Sequence, residues 1–304
     1  MPSQSLIDIL ALIPPDFADP EADYIQVRAT MAPFHGHPVG PAFEVELATL
    51  GGVRVATVSA AGPRTGDQIV AFHCHGGGLV SCPLDSYLFF GALLAEHLGV
   101  TAVLPDYRLA PEHPYPAAQD DCLAAYRGLL ESGIDPTRVV VTGDSCGAGL
   151  ALSALLTARD QGIPMPAGFV SLSGWFDLAV ADPNESGTDP FLTTAWVRNR
   201  GRDYTQGMLP LGHPSVSSAH AAPAALAGLP PLYLAVGQYD TLRHGVDRLA
   251  ANALAAEVAV QWESWPGMVH GWQGLALAGV PEALAALGEV RNFIDRSTGT
   301  AAAS

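Results

Sequence analysis

From about residue 43 onward, short β-rich runs alternate with longer Ala/Leu-rich stretches of helical periodicity, and the rhythm persists for about 200 residues. Few architectures accept such a pattern. Each strand-helix unit returns the next strand parallel to the last, so sustained alternation calls for an α/β protein with a mostly parallel sheet. The strands expected are Phe43 to Leu50, Val53 to Ser59, Ile69 to His73, Thr101 to Leu104, Val139 to Thr142, Gly168 to Leu172, Leu232 to Val236 and Val258 to Ser264. Gly51-Gly52 between the first two marks an antiparallel hairpin at one edge. The expected helices are Leu84 to Leu98, Ala118 to Glu131, Cys146 to Asp160, Arg243 to Ala256 and Pro281 to Arg296. Together they describe a mostly parallel eight-stranded sheet flanked by helices.

Two segments break the rhythm, Met1 to Gly40 and Ala181 to Leu229, where Pro, Gly, Ser and scattered aromatics are mixed. Irregular stretches of that length in a compact domain are usually functional lids. The expected organisation is an N-terminal cap segment over 1–40 and a main domain over 41–298 that carries a cap insertion at about 181–229.

The 304 residues are 49% hydrophobic and only 14% charged, enough for a large core. A formal charge of −16 repels phosphate backbones and anionic lipid headgroups, so nucleic acid is excluded as a partner. No apolar stretch reaches the roughly 18 to 20 residues of a membrane span, and no basic region precedes the apolar run Leu6 to Ile13. The four cysteines, Cys74, Cys82, Cys122 and Cys146, read as free thiols in a reducing compartment. A cytoplasmic protein is expected. All 14 basic residues are arginine, which excludes a Schiff-base lysine, a Ser-Lys dyad and a phosphate-loop lysine.

Val139-Val140-Val141-Thr142 runs into Gly143-Asp144-Ser145-Cys146-Gly147, and an Ala/Leu helix follows at once. This is G-x-S-x-G in strand-turn-helix context, where glycines flank a serine on a strained turn. About 70 residues upstream, at another strand end, His75-Gly76-Gly77-Gly78 offers backbone N–H groups with no side chain in the way, as an oxyanion hole requires. A serine nucleophile needs a histidine base and an acid to hold its tautomer, in the chain order Ser, acid, His. Of the downstream histidines His213, His220, His244 and His270, only His270 lies in a loop directly after an expected strand. The same test selects Asp240, with Asp177 in reserve.

The chain resembles the bacterial hormone-sensitive-lipase-like (family IV) carboxylesterases of the α/β-hydrolase superfamily. The resemblance rests on His75-Gly-Gly-Gly78, Asp106-Tyr-Arg-Leu-Ala-Pro-Glu-His-Pro-Tyr-Pro-Ala-Ala118, Gly143-Asp-Ser-Cys-Gly147, Asp189-Pro-Phe-Leu192, Asp240-Thr-Leu-Arg243 and His270-Gly-Trp. It implies an α/β-hydrolase fold with a small helical cap, and hydrolysis of carboxylic esters by Ser145, Asp240 and His270. It also implies an oxyanion hole made by the N–H groups of Gly77, Gly78 and Cys146. Two departures stand out: the family usually has Ala after the serine, where this chain has Cys146, and an acidic residue after the Arg of the acid motif, where it has His244.

Competing readings are weaker. His73-Cys-His75 could place two imidazoles on one strand face, but no carboxylate-rich ligand set accompanies it, so neither metal nor cofactor is expected. Cys146 lies outside the projecting position of the elbow, which Ser145 holds. A lactone hydrolase and, in a different class, a non-catalytic small-molecule-binding member of the fold are the alternatives. The expected partner is a small ester or lactone, with no membrane and with a homodimer as an admissible assembly. Met31, Phe34, Trp196, Tyr204 and Met208 are the candidate pocket residues. The lid segments lack a long apolar helical face, which points to short esters of about two to eight acyl carbons.

Overall fold

The computed structural model describes residues 2–62, 68–184 and 189–300. Its strands are β1 (Phe43–Leu50), β2 (Val53–Ala60), β3 (Val70–Cys74), β4 (Thr101–Pro105), β5 (Val139–Asp144), β6 (Gly168–Leu172), β7 (Leu232–Gly237) and β8 (Val260–Trp265). They form one sheet of order β1-β2-β4-β3-β5-β6-β7-β8. Strand β2 runs antiparallel to β1 and β4, and β3 to β8 pair in parallel. At the edge hairpin Leu50 pairs with Val53, leaving Gly51 and Gly52 as a two-residue turn with φ of 57° and 86°.

The helices are α1 (Gln4–Leu10), α2 (Tyr24–Met31), α3 (Leu88–Leu98), α4 (Ala117–Glu131), α5 (Cys146–Asp160), α6 (Thr194–Thr205), α7 (Pro223–Leu226), α8 (Arg243–Ala255) and α9 (Pro281–Ser297). Side chains alternate across the pleat, so one strand serves two cores. Phe72, Val141, Phe169 and Leu234 share a core with α4, α5 and α8, whereas Ala71, Val140, Val170 and Tyr233 share the other with α3 and α9. Because both faces are covered, β3, β4, β6 and β7 are buried along their whole length, which is why they read as unbroken apolar runs.

Two expected boundaries move. The stretch Leu84 to Leu98 is a short 3₁₀ turn, Leu84–Ser86, then a break at Tyr87 before α3. The break places the Tyr87 hydroxyl on Asp144 Oδ2 at 2.6 Å. Strand β8 starts at Val260 instead of Val258, because Glu257 turns with φ of 60° and the Val258 N–H closes α8 on the Ala253 carbonyl at 3.0 Å.

The two irregular segments meet each other near the C-terminal ends of the parallel strands. Asn199 and Arg200 of α6 donate to the carbonyls of Pro20 (2.6 Å) and Ala22 (3.0 Å). Arg28 of α2 ties this layer down through the Val80 and Ala110 carbonyls and the Glu112 carboxylate. Helix α1 instead turns away, with Leu6 buried in the α3/α9 core and Ser3 donating to Glu282 at 2.8 Å. Among the described residues no helix is long and apolar enough to cross a membrane.

Candidate active site

Strand order reverses around β3: β4 lies on one side of it and β5 on the other, so the ends of β3 and β5 sit side by side at a topological switch point. Cys74 pairs with Gly143 there, which brings the glycine strap after β3 against the serine turn after β5. Ser145 has φ of 51° and ψ of −127°, a conformation costly for a residue with a Cβ. It is held by three backbone bonds. The Ser145 N–H donates to Leu172 at 3.0 Å, and its carbonyl accepts from Trp175 at 2.8 Å and Ala148 at 3.2 Å. Its flanking glycines are dictated by contact: a Cβ on Gly143 would sit 2.6 Å from the Ala148 nitrogen, and one on Gly147 would run into the carbonyls of Cys74 and His75.

His270, in the loop after β8, presents Nε2 to Ser145 Oγ at 3.0 Å. Its Nδ1 faces both carboxylate oxygens of Asp240, at 3.2 and 3.1 Å, in the loop after β7. Asp240 is fully buried, and its Oδ1 also accepts the Leu242 N–H at 2.8 Å. Burial alone would lower the His270 pKa, but the Asp240 charge and hydrogen bond outweigh it and hold it above the usual imidazole value. Asp177, the reserve acid, lies elsewhere: it accepts the Ala179 and Ala181 N–H groups and faces His220 at 2.9 Å.

The strap is braced from below. His75 Nδ1 meets the Gly76 carbonyl at 2.7 Å, its ring stacks on Tyr107 at 4.1 Å, and the Tyr107 hydroxyl donates to the His75 carbonyl at 2.6 Å. Burial pushes the His75 pKa down to about 4, so the imidazole is neutral. Asp144 accepts the Gly76 N–H at 2.8 Å and the Tyr87 hydroxyl, and lies 3.2 Å from His73 Nε2. Against the cost of its burial, these donors keep the Asp144 carboxyl below the usual range. The tandem histidines thus serve as braces, and among the described residues no cluster fit for a metal ion is present. Gly77 and Gly78 turn with φ of 115° and 64°. Among the described residues no acceptor takes the N–H groups of Gly77 and Cys146, both beside the serine.

A family described as "alpha/beta hydrolase fold" matches residues 71–274. The chain is 37% identical over 240 residues to an acetyl-hydrolase of Streptomyces hygroscopicus, covering 78% of this chain and 79% of that one. A carboxylesterase of Mycobacterium tuberculosis is 35% identical over 229 residues, 72% of this chain and 70% of its own. The crystal structure of an esterase from the bacterial hormone-sensitive lipase family superposes with a TM-score of 0.88 at 33% identity, covering 98% and 99% of the two chains. Another esterase crystal, soaked with p-nitrophenyl butyrate, gives 0.87 at 31% identity over 98% and 99%. The chain belongs to the hormone-sensitive-lipase family of α/β-hydrolases. It is a carboxylic ester hydrolase.

In this esterase Ser145 and His270 open into a cavity of about 410 Å³. Of the five candidate pocket residues, Met31, Phe34 and Trp196 line it, together with Gly77 and Gly78. A Cβ on Gly78 would lie 2.7 Å from the Trp196 ring, so the strap and α6 are in direct contact. Tyr204 and Met208 do not reach the cavity. Tyr204 lies eight residues beyond Trp196, roughly 12 Å along α6, and is buried edge-on against Tyr115 at 5.9 Å. Met208 follows the helix's left-handed cap at Gln206 and is 51% exposed.

Sequence reasoning passed over other lining residues: Phe17, His35, His37, Tyr87, Phe89 and Phe90. It also passed over Ser173, whose hydroxyl accepts the Gly271 N–H at 3.1 Å and steadies the histidine loop. An apolar run such as Phe89-Phe90 carries no signal that separates pocket wall from core. Ser173 is marked only by its place at the end of β6.

Proposed function

We propose that the chain hydrolyses short-chain carboxylic esters through an acyl-enzyme formed on Ser145, with His270 as base and Asp240 as orienting acid. The observation that carries this reading is the continuous relay from Ser145 Oγ through His270 to the buried Asp240, opening into an apolar cavity. As Oγ attacks the ester carbonyl, its proton passes to His270 Nε2, and Asp240 stabilises the imidazolium. The N–H groups of Gly77, Gly78 and Cys146 receive the developing oxyanion. Collapse breaks the C–O bond, and His270 hands the proton to the leaving alkoxide. Water, deprotonated by His270, then releases the acid and restores Ser145.

The cap role belongs to residues 1–40 and about 181–229, which supply Met31, Phe34, Phe191, Leu192 and Trp196 to the cavity wall. Among the described residues no arginine lines the cavity and its wall is mostly apolar, which suits uncharged esters. The cavity lies at the small end of ligand-pocket volumes, so added methylenes gain about 0.8 kcal/mol each only until the wall is met. The test is kcat/KM across p-nitrophenyl esters from acetyl to palmitoyl. A maximum between about two and eight acyl carbons is expected. A maximum at the long esters, or a rise in rate at the onset of micelles, would overturn it.

A further inference from the structure

Asp189 is a carboxyl beside this site that the relay does not use. Its Oδ2 accepts the N–H of Thr241, the residue next to Asp240, at 3.0 Å, and its Oδ1 accepts the N–H of Phe191 at 3.0 Å. Thr241 returns the contact by donating its hydroxyl to the Leu192 carbonyl at 2.9 Å. Phe191 and Leu192 are both cavity wall. Two hydrogen bonds therefore join the stretch 189–192 to the loop that carries Asp240, and the third, from Phe191, fixes the Asp189 carboxyl within its own stretch.

We propose that Asp189 is a positioning residue for ester hydrolysis: it ties the cavity wall to the Asp240 loop and so fixes where that acid sits behind His270. The inference rests on the relay proposed above.

Placement alone would also be served by a neutral acceptor, but a carboxyl here does more. Burial and the facing Asp240 carboxylate push the Asp189 pKa up to about 7, with His270 pulling the other way. The charged and titratable groups around the pair are therefore Asp240 and His270, with Asp144 acting on His270 from the elbow side. When Asp189 is neutral, His270 feels Asp240 and Asp144. When Asp189 ionises, a third negative charge favours the imidazolium, so His270 holds its proton to higher pH. The two groups titrate as a pair, and the acid limb of kcat/KM should be broad and lie above about 6.5.

Asp189→Asn removes the charge while keeping the shape and one acceptor. The expected result is an acid limb displaced to lower pH by roughly half a pH unit or more and narrowed to a single ionisation. Asp189→Ala should shift the limb in the same direction and in addition lower kcat about tenfold, since the carboxyl's bonds to Thr241 and Phe191 are both lost. Limbs that superimpose on that of the intact enzyme, with kcat unchanged in both variants, would overturn the proposal. Should the variants fail to fold, the unaltered enzyme labelled with ¹⁵N-histidine decides: a two-step titration of His270, identified by comparison with His270→Gln, supports the pair, and a single step overturns it. Covalent labelling of the unaltered enzyme by a fluorophosphonate keeps the two readings apart. Labelling at Ser145 with an unmoved limb sinks the role of Asp189 alone, whereas absence of labelling sinks the relay.

Discussion

Asp144, on the oxyanion side, and Asp189, on the acid side, are both taken largely out of water, yet their carboxyls shift in opposite directions. Asp144 is met by two donors, the Gly76 N–H and the Tyr87 hydroxyl, with His73 Nε2 3.2 Å away. Asp189 also has two N–H donors, but it faces the Asp240 carboxylate. Burial disfavours charge at both, so the neighbours decide which carboxyl keeps it. One side of the site is thereby an anion that anchors the strap, and the other a titrating group near His270.

Both carboxyls flank the proposed nucleophile, so the largest effect should come from removing it. If Ser145 is the proposed nucleophile, Ser145→Ala should lower kcat by about 10⁶, with an unchanged circular dichroism spectrum. Retention of more than a few per cent of the activity in a folded variant would break the frame in which the two carboxyls are compared.

The next test removes a donor from the fixed anion. Tyr87→Phe deletes a 2.6 Å hydrogen bond to Asp144 and should cost about 1.5 to 3 kcal/mol in denaturant unfolding. Its pH dependence has a definite sign. A carboxyl whose folded pKa is depressed adds stability at pH values above its unfolded pKa of about 3.9, and that stability is lost as pH falls through the folded value. Losing Tyr87's hydrogen raises the folded value, so acid unfolding should begin at higher pH than in the unaltered protein. An unchanged acid midpoint would show that the donors do not hold the charge on Asp144.

The smallest effect is expected at Cys146, which sits between the two sides. Its buried thiol, pushed up to about 12 chiefly by burial and next by the Asp144 charge, accepts the Leu79 N–H at 3.2 Å and stays protonated. Cys146→Ala keeps the backbone N–H that the oxyanion would meet, so kcat should fall less than about tenfold. The variant should also resist any bulky thiol reagent that inhibits the unaltered enzyme. An inactive Cys146→Ala, assayed with p-nitrophenyl butyrate, would assign the thiol a part in the reaction that the geometry does not.

The elbow and the strap were legible because their constraints are local. Gly143, Gly147, Gly76 and Gly77 are required by atoms that the pairing of β3 with β5 and the strap's own turn bring close. Strand-end position was enough to bring His270 and Asp240 forward, since a parallel sheet gathers its C-terminal loops along one edge. The same reasoning failed for Tyr204 and Met208. Membership of an irregular segment says nothing about which side of α6 a residue takes or how far along it lies, and packing against Tyr115 settled the first of these.

By itself, then, the amino-acid order determined the α/β rhythm, the strained serine turn, the glycine strap and the absence of any lysine chemistry, because each follows from backbone sterics, periodicity or residue type within a few positions. Only the tertiary structure decided the opposite pKa shifts of Asp144 and Asp189 and the shape of the cavity. Asp144 meets Tyr87 across 57 positions and Asp189 meets Thr241 across 52. Electrostatic environment is a sum over neighbours in space, and sequence distance carries no record of which residues those are.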